Sequence, residues 1–147
     1  MTYSKILVPV APGHGDEAGR ALDVARTLVG EGGSITVVTV IEDLPRYLTA
    51  ETMALDPGIL ESQQAAGDAV VAEFTAPDVE VAVRHGYPTR AILDEAKDGG
   101  YDCIVIASAE PGWAHFFLGS TASSVVRHAH CSVHVVRTPA EEAEQPA

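Results

Sequence analysis

The sequence has little positive charge. Nine lysines and arginines stand against 21 aspartates and glutamates, which gives a formal net charge of −12 at pH 7. A nucleic acid or an anionic membrane surface needs a basic footprint on the protein that binds it. We therefore expect neither nucleic acid nor a membrane as a partner.

Cysteines and long apolar runs are also scarce. Cys103 and Cys131, the only two cysteines, fall in or beside apolar runs. Such positions are typical of reduced core thiols in a cytoplasmic protein, with a disulfide between them as the open alternative. No apolar stretch approaches the roughly 20 residues that cross a bilayer, and MTYSKILVPV at the start has neither the basic residues nor the cleavage site of a signal peptide. These features predict a cytoplasmic location.

What the sequence does contain is an alternation of β-rich runs and helical spacing. Strands are predicted at residues 5–10, 34–41, 79–83, 103–107 and 132–137. Helices are predicted at residues 16–29, 59–76, 89–97 and 120–130. We expect the glycines at positions 30, 32 and 33 to end the first helix, and residues 85–88 to form a turn. The alternation predicts an α/β fold with a five-stranded, mostly parallel sheet and helices on both faces.

One domain accounts for most of the chain. Residues 1–138 have the length and the apolar content of a single globular domain. The remaining segment, 139–147, is acidic and rich in proline and alanine, and we predict that it is disordered.

The segment between the fourth strand and the last helix is the candidate ligand site. Ligands of a parallel sheet bind at the carboxyl ends of the strands, where the strand order reverses. Gly119, Ser120 and Thr121 open the last predicted helix there, and the free N–H groups of a helix start can hold a phosphate. These residues would equally serve as a plain helix cap. Glu110, in the same loop, would repel a phosphate by on the order of a kcal/mol. The alternatives are that it points to solvent, which we favour, or that it helps to hold a divalent metal between itself and the phosphates.

No side chain is placed as a catalytic or metal-binding group. Ser108 lacks the Gly-x-Ser-x-Gly elbow of a hydrolase nucleophile. The histidines and cysteine between His128 and His134 are spaced so that they point in different directions, whereas zinc needs convergent ligands. Arg84, Arg90 and Arg127 lie near strand ends or helix starts, and none is a convincing phosphate ligand. We predict no enzyme and no metal site, with weak ATP hydrolysis left open.

Several motifs resemble those of the universal stress protein family over nearly the whole chain, to about Arg137. They are ILVPV, ITVVTVI, RHGYPTRAILDEA, DCIVIAS and, most specific of all, LGSTASSVVRHAHCSVHVVR. The resemblance implies a flavodoxin-like, Rossmann-like (HUP-type) fold and a homodimer with a regulatory role in the stress response. It also implies an adenine nucleotide as ligand, ATP or AMP, with Mg as a companion of ATP.

The glycine motif of this family is incomplete here. In nucleotide-binding members it reads Gly, two residues, Gly, nine residues, Gly-Ser/Thr. Gly119-Ser120 matches its end, but Ala107 stands at the first glycine and the spacing is one residue short, as in a family variant with an Ala-Ser-x-x-Pro loop. Ala11 replaces the aspartate common after the first strand, whereas Val40 matches the small apolar residue beside the adenine.

Carried onto this chain residue by residue, the resemblance implies a nucleotide site and a dimer strand. The implied site residues are Pro9, Val10, Ala11, Val40, Ile106, Ala107, Ser108, Gly112, Gly119, Ser120 and Thr121. The implied dimer contact is the last strand, paired with its twin through Val133, Val135 and Arg137. Ala11 and Glu110 favour an alternative of a different class: a protein-interaction module of the same fold that no longer binds nucleotide and signals through its dimer surface and residues 44–56.

Overall fold

Strands and helices alternate along the part of the chain that the computed structural model describes, which is residues 2–12, 15–42, 58–108 and 119–137. The predicted dimer strand lies within these ranges, whereas residues 44–56, Glu110, Gly112 and the acidic tail lie outside them. In chain order the elements are β1 (Tyr3–Pro9), α1 (Gly15–Leu28), β2 (Val29–Glu42), α2 (Gly58–Phe74), β3 (Val79–Gly86), α3 (Pro88–Asp98), β4 (Cys103–Ser108), α4 (Ser120–His128) and β5 (Ser132–Arg137).

The five strands form one parallel sheet in the order β3-β2-β1-β4-β5. The predicted α/β architecture is therefore confirmed. From β1 the chain builds outward through β2 to β3, then returns to the other side of β1 for β4 and β5. The strand order reverses between β1 and β4, which is the point where a sheet of this kind offers a crevice.

Apolar layers cover both faces of the sheet. One layer joins Ile6, Val8 and Val37 of the strands to α1 and α2. The other joins Leu7 and Ile104 to α3 and α4. Burial on both faces explains why β1, β2 and β4 read as continuous apolar runs instead of alternating ones.

The start of β2 differs from the prediction. The glycines at positions 30, 32 and 33 lie inside β2, and α1 ends before them at Leu28. Gly32 has a φ of +78°, and a Cβ at Gly33 would lie 2.9 Å from the Ser4 carbonyl oxygen. The glycines therefore allow this end of β2 to approach β1 where the pairing shifts register between Tyr3 and Lys5.

The predicted turn at residues 85–88 is wrong in its first half. β3 continues to Gly86, because Ile41 and Glu42 at the end of β2 pair with His85 and Gly86. Pro88 then occupies the beginning of α3, where its missing N–H is of no consequence.

A short ladder joins β1 to β4 near their amino ends. The two strands oppose each other only at Ile6–Cys103 and Leu7–Ile104. Asp102, directly before β4, accepts hydrogen bonds from the backbone N–H groups of Ser4 (2.9 Å) and Lys5 (3.0 Å). Its own N–H donates to the Lys5 carbonyl oxygen at 3.0 Å. The carboxylate of Asp102 thus joins β1 to the start of β4, at the end of the sheet that lies away from the crevice.

Replacing Asp102 by Asn is expected to reduce stability in a pH-dependent way. Partial burial by itself would raise the pKa of Asp102, but the N–H groups of Ser4 and Lys5 outweigh it and lower that pKa below its ordinary 3.8. A lowered pKa stabilises the fold above the unfolded-state value, and this stabilisation is lost as the pH falls through the folded-state value. We expect Asp102→Asn to lower the free energy of unfolding by about 1 kcal/mol near neutral pH, and by less as the pH falls below about 4.

Urea unfolding at several pH values measures this difference. Asp94→Asn is the matched control, because Asp94 is half-exposed on α3 and its ion pair with Arg90 is long, at 3.8 Å. A loss of stability at Asp102 that stays constant down to about pH 3 would contradict the assigned role of its charge.

Candidate functional site

A cleft of about 630 Å³ lies at the carboxyl ends of β1, β2 and β4. It occupies the crevice expected where the strand order reverses. Ten of the eleven predicted site residues line it: Pro9, Val10, Ala11, Val40, Ile106, Ala107, Ser108, Gly119, Ser120 and Thr121. Gly112 lies outside the described residues. The structure therefore brings the predicted residues together, and their binding of a nucleotide stays a prediction.

One wall of the cleft is apolar. Val40, Ile92 and Ile106 belong to the buried layer beneath α3 and α4, and their outer ends reach the cleft. Pro88 at the start of α3 and Ala122 in α4 extend the same wall. A flat apolar wall with a few polar groups near it is the usual surface for a ring-shaped ligand.

The start of α4 forms a further part of the cleft. Gly119 is the N-cap residue, with φ −60° and ψ 158°, and no side chain caps this helix. The first helical hydrogen bond runs from the Ser123 N–H to the Gly119 carbonyl oxygen at 2.9 Å. The N–H groups of the first turn have no acceptor within the helix. Since Ser120 and Thr121 line the cleft, these groups and the positive end of the helix dipole lie at the cleft, where a helix start can hold an anion.

Ser108 connects the end of β4 to the start of α4. Its Oγ accepts a hydrogen bond from the Gly119 N–H at 3.0 Å. The side chain is buried, with 7% of the residue exposed. Sequence patterns do not predict this bond, because the two residues are eleven positions apart. It fixes where α4 begins relative to the strand that carries Ala107.

Carboxylates and one amide line the region near Ala11. Glu17 lies in the first turn of α1 and Glu42 at the end of β2. Gln63 of α2 also lines the cleft, and its Nε2 donates to the Glu42 carbonyl oxygen at 3.2 Å. Ala11 offers no polar side chain. The side-chain oxygens of Glu17, Glu42 and Gln63 suit ligand hydroxyl or amino groups. No lysine or arginine occurs among the described residues that line the cleft.

Most of the additional lining residues come from helices. Gln63, Ala66 and Ile92 were not among the predicted site residues. Their distance from the strand ends in sequence hides them, since only the packing of α2 and α3 brings them to the sheet edge. Val38 is an exception, because its spacing of two from Val40 on the same strand was a usable signal.

Arg84 lies away from the cleft lining. Its Nε donates to Glu95 at 2.8 Å and its Nη2 to Asp98 at 3.3 Å. The hydrogen bond and charge of Glu95, opposed in part by burial, raise the pKa of Arg84. The Tyr101 hydroxyl also donates to Glu95, at 3.1 Å. This network ties β3 to α3 and to the residue that leads into β4, which is a structural role.

Two further features of the described residues concern membranes and thiols. Within them, none of the helices combines the length and apolarity required to span a bilayer.

The two cysteines are unpaired. Burial raises the pKa of the Cys103 thiol to about 11, so this cysteine behaves as a core residue.

Comparisons with known proteins agree with this fold. Universal stress protein G of Shigella flexneri is 28% identical over 142 residues, covering 92% of this chain and 99% of that protein. The solved structure of UspA from Lactobacillus plantarum is 33% identical, with a TM-score of 0.71, and the match covers 93% and 99% of the two chains. An Arabidopsis thaliana universal stress protein family protein with AMP bound shares the fold at 20% identity and a TM-score of 0.67, over 97% and 96% of the chains.

The family assignment rests on the length of the match. The family model for the universal stress protein family matches residues 2–137, which is nearly the whole chain. The flavodoxin-like α/β fold that the sequence motifs implied is confirmed by the sheet order and by these structures. The chain belongs to the universal stress protein family.

Proposed function

We propose that this protein binds an adenine nucleotide, AMP or ATP, in the cleft, and acts as a cytoplasmic regulatory protein of the stress response. The observation that carries the proposal is that one cleft is lined both by apolar side chains and by an uncapped helix start. The apolar wall at Val40 and Ile106 suits a purine ring, and the uncapped start of α4 at Ser120 suits a phosphate. The Arabidopsis protein of the same fold holds AMP, which supports this choice of ligand.

Magnesium is proposed as a companion of ATP. Glu17 and Glu42 are the charged side chains among the described lining residues, and both are acidic. A triphosphate brings more negative charge into this surrounding than a monophosphate does. A divalent cation bound to the phosphates offsets that charge.

Binding without turnover is the proposed mode of action. A serine nucleophile needs a general base within hydrogen-bond reach. The described partner of Ser108 is instead the backbone N–H of Gly119, which cannot remove a proton. The nucleotide therefore acts as a regulatory ligand whose presence changes the surface offered to other proteins.

Native mass spectrometry and titration calorimetry test the proposal. Protein purified under native conditions is examined for a co-purified nucleotide and then titrated with AMP and with ATP, in the presence and absence of magnesium. We expect binding of at least one of them at micromolar to millimolar concentration. No co-purified nucleotide and no heat of binding at millimolar ligand would overturn the proposal.

Replacing Gly119 by Asp is expected to weaken nucleotide binding at least tenfold without unfolding the protein. Aspartate is a favourable N-cap residue, so its carboxylate would accept hydrogen bonds from the first turn of α4 and occupy the phosphate position. We expect AMP affinity to fall at least tenfold while the melting temperature is unchanged or raised. Gly19→Asp in α1 is the matched control, because a Cβ there meets nothing within 4 Å and Gly19 does not line the cleft.

Calorimetry with AMP and thermal unfolding measure the two effects. Equal AMP affinity in the Gly119→Asp variant and the parent would place the phosphate elsewhere in the protein.

A second candidate function is a protein-interaction module that binds no nucleotide. Ala11 favours it, because this exposed residue supplies no hydrogen bond at the edge of the cleft. Under this alternative the protein keeps the fold and the dimer surface but does not bind a nucleotide in the cleft.

Replacing Ala11 by Asp distinguishes the two candidates. The new carboxylate would lie beside the position of a ribose and accept hydrogen bonds from its hydroxyl groups, as in the family pattern. For a cleft that already binds nucleotide we expect AMP affinity to rise roughly three- to tenfold, and less in the uncharged control Ala11→Asn. Calorimetry with AMP measures the change. Undetectable binding by both the parent and Ala11→Asp would favour the interaction module.

We also propose that the protein is a homodimer joined through β5. This strand is one edge of the described sheet, and an unpaired edge is a template for a second strand. Val133 and Val135 are half-buried on the face that packs against α4. Pairing of β5 with its twin across a two-fold axis would complete their burial, with Arg137 at the end of the contact.

A charge in β5 is expected to dissociate the dimer. Val135→Lys would bring two like charges together across the two-fold axis, so we expect the dimer dissociation constant to rise at least tenfold, or about 1.4 kcal/mol. Val83→Lys is the matched control at the other edge of the sheet, where Val83 is 38% exposed. Analytical ultracentrifugation measures both variants. A parent that is monomeric throughout, or equal dissociation by both variants, would contradict this interface.

A further inference from the structure

The hydroxyl of Thr39 is buried without a hydrogen bond. Thr39 lies in β2 with 0% of the residue exposed, and its Oγ1 has no hydrogen-bond partner in the part of the chain that the structure describes. Thr36 on the same strand is buried too, but its hydroxyl is hydrogen-bonded with Tyr101. A buried hydroxyl without a partner has lost its hydrogen bonds to water. Any conformation that buries Thr39 in this way therefore carries an unfavourable contribution to its free energy.

Helix α2 covers Thr39. Alternate residues of β2 face the same side of the sheet, so Thr39 lies between Val37 and Ile41 in one row. Val37 belongs to the same apolar layer as Val70 of α2. Ile41 meets the helix directly, because a Cβ at Gly67 would lie 2.9 Å from Ile41 Cδ1. Since α2 packs on β2 and β3, whereas α1 packs mainly on β1 and β4, water reaches Thr39 when α2 moves away from the sheet.

The two halves of α2 differ in how they are held. Gln63 and Ala66 in the first half line the cleft, and Gln63 Nε2 donates to the Glu42 carbonyl oxygen at 3.2 Å. Glycine weakens a helix, and Gly67 places such a weak point near the middle of α2. Within the described side chains of α2, the buried residues lie at this point or beyond it: Gly67, Val70 and Phe74. The second half therefore anchors the helix, and the first half can move separately.

We propose that the first half of α2, residues 58–66, is a hinged wall of the cleft, and that the Thr39 hydroxyl biases this wall toward opening. When the wall lifts at about Gly67, water reaches Ile41 and Thr39, and the hydroxyl regains its hydrogen bonds. Opening is then less unfavourable than it would be above an apolar residue, and it widens the cleft on its α2 side. The hinge is a property of the ligand-free protein and does not depend on the proposed nucleotide binding.

Amide hydrogen exchange of the ligand-free protein, followed residue by residue by NMR, tests the hinge. Corrected for intrinsic rates, the amides of residues 62–67 are expected to exchange at least tenfold faster than those of residues 19–25 in α1. Exchange in residues 62–67 that is as slow as in α1 would overturn the hinge.

Replacing Thr39 by Val tests the role of the hydroxyl. Valine has nearly the same shape and no polar atom, so it removes the unfavourable contribution from the closed position. We expect exchange in residues 62–67 to slow about tenfold, while amides of α3 that open locally exchange as in the parent. Thr39→Ser keeps the hydroxyl and is expected to exchange at least as fast as the parent.

Thr36→Val is the matched control, because it removes a buried hydroxyl from the same strand on the opposite face of the sheet. This variant loses the hydrogen bond with Tyr101, so we expect a lower melting temperature and α2 exchange like that of the parent. Unchanged exchange of residues 62–67 in Thr39→Val would overturn the role assigned to Thr39. Equal slowing in α1, α2 and α3 would overturn it as well, because it would mean that the hydroxyl affects only global stability.

Discussion

The incomplete pairing of β1 with β4 is the constraint on which the rest of the structure depends. Backbone groups in a sheet need partners, and the central strands satisfy this requirement differently at their two ends. Near the amino ends, β1 pairs with β4 and Asp102 adds its carboxylate to the ladder. Near the carboxyl ends, Val10 donates to the Val38 carbonyl oxygen at 2.8 Å, so β1 follows β2. Ser108 pairs there with Arg137, so β4 follows β5. The cleft is the space left between two strand pairs that diverge.

This origin explains why one wall of the cleft is so apolar. Val40 and Ile106 are the last members of the buried layer that starts with Leu7 and Ile104 deeper in the sheet. Their side chains are apolar because they belong to the buried layer, and only the ends of these side chains are exposed in the cleft. Substitutions at these positions therefore change stability and ligand contact together. Ser108, Ser120 and Thr121 contribute less to the core. Substitutions at these positions therefore separate the effect on ligand contact from the effect on stability better.

The sequence predicted the parts of the fold that follow from local pattern and topology. The bounds of β5 are correct, because Ser132–Arg137 is a valine-rich run that begins shortly after α4 ends at His128. The predicted start of β2 at residue 34 is five residues late, since the strand conformation of Val29 and the glycines that follow depends on pairing with β1, and tertiary contacts override local preference. The strand-end residues of the cleft were predictable from the carboxyl-edge rule. Gln63 and Ile92 were not, because helix packing brings them to the cleft, and the Ser108–Gly119 bond needs both ends of a long connection in place.

An acidic protein that binds an anion must do so with short-range groups. The formal charge of −12 opposes an approaching phosphate, yet most of that charge is screened beyond a distance of roughly 8–10 Å at ordinary salt. The helix dipole and the N–H groups of α4 act within the first turn, where water and salt weaken them least. The described lining of the cleft supplies no lysine or arginine, so the proposed phosphate contact depends on orientation rather than on charge. Orientation in turn depends on where α4 begins, and the hydrogen bond from Gly119 to Ser108 fixes that point. A single neutral hydrogen bond can therefore matter more to this site than an ion pair on its surface.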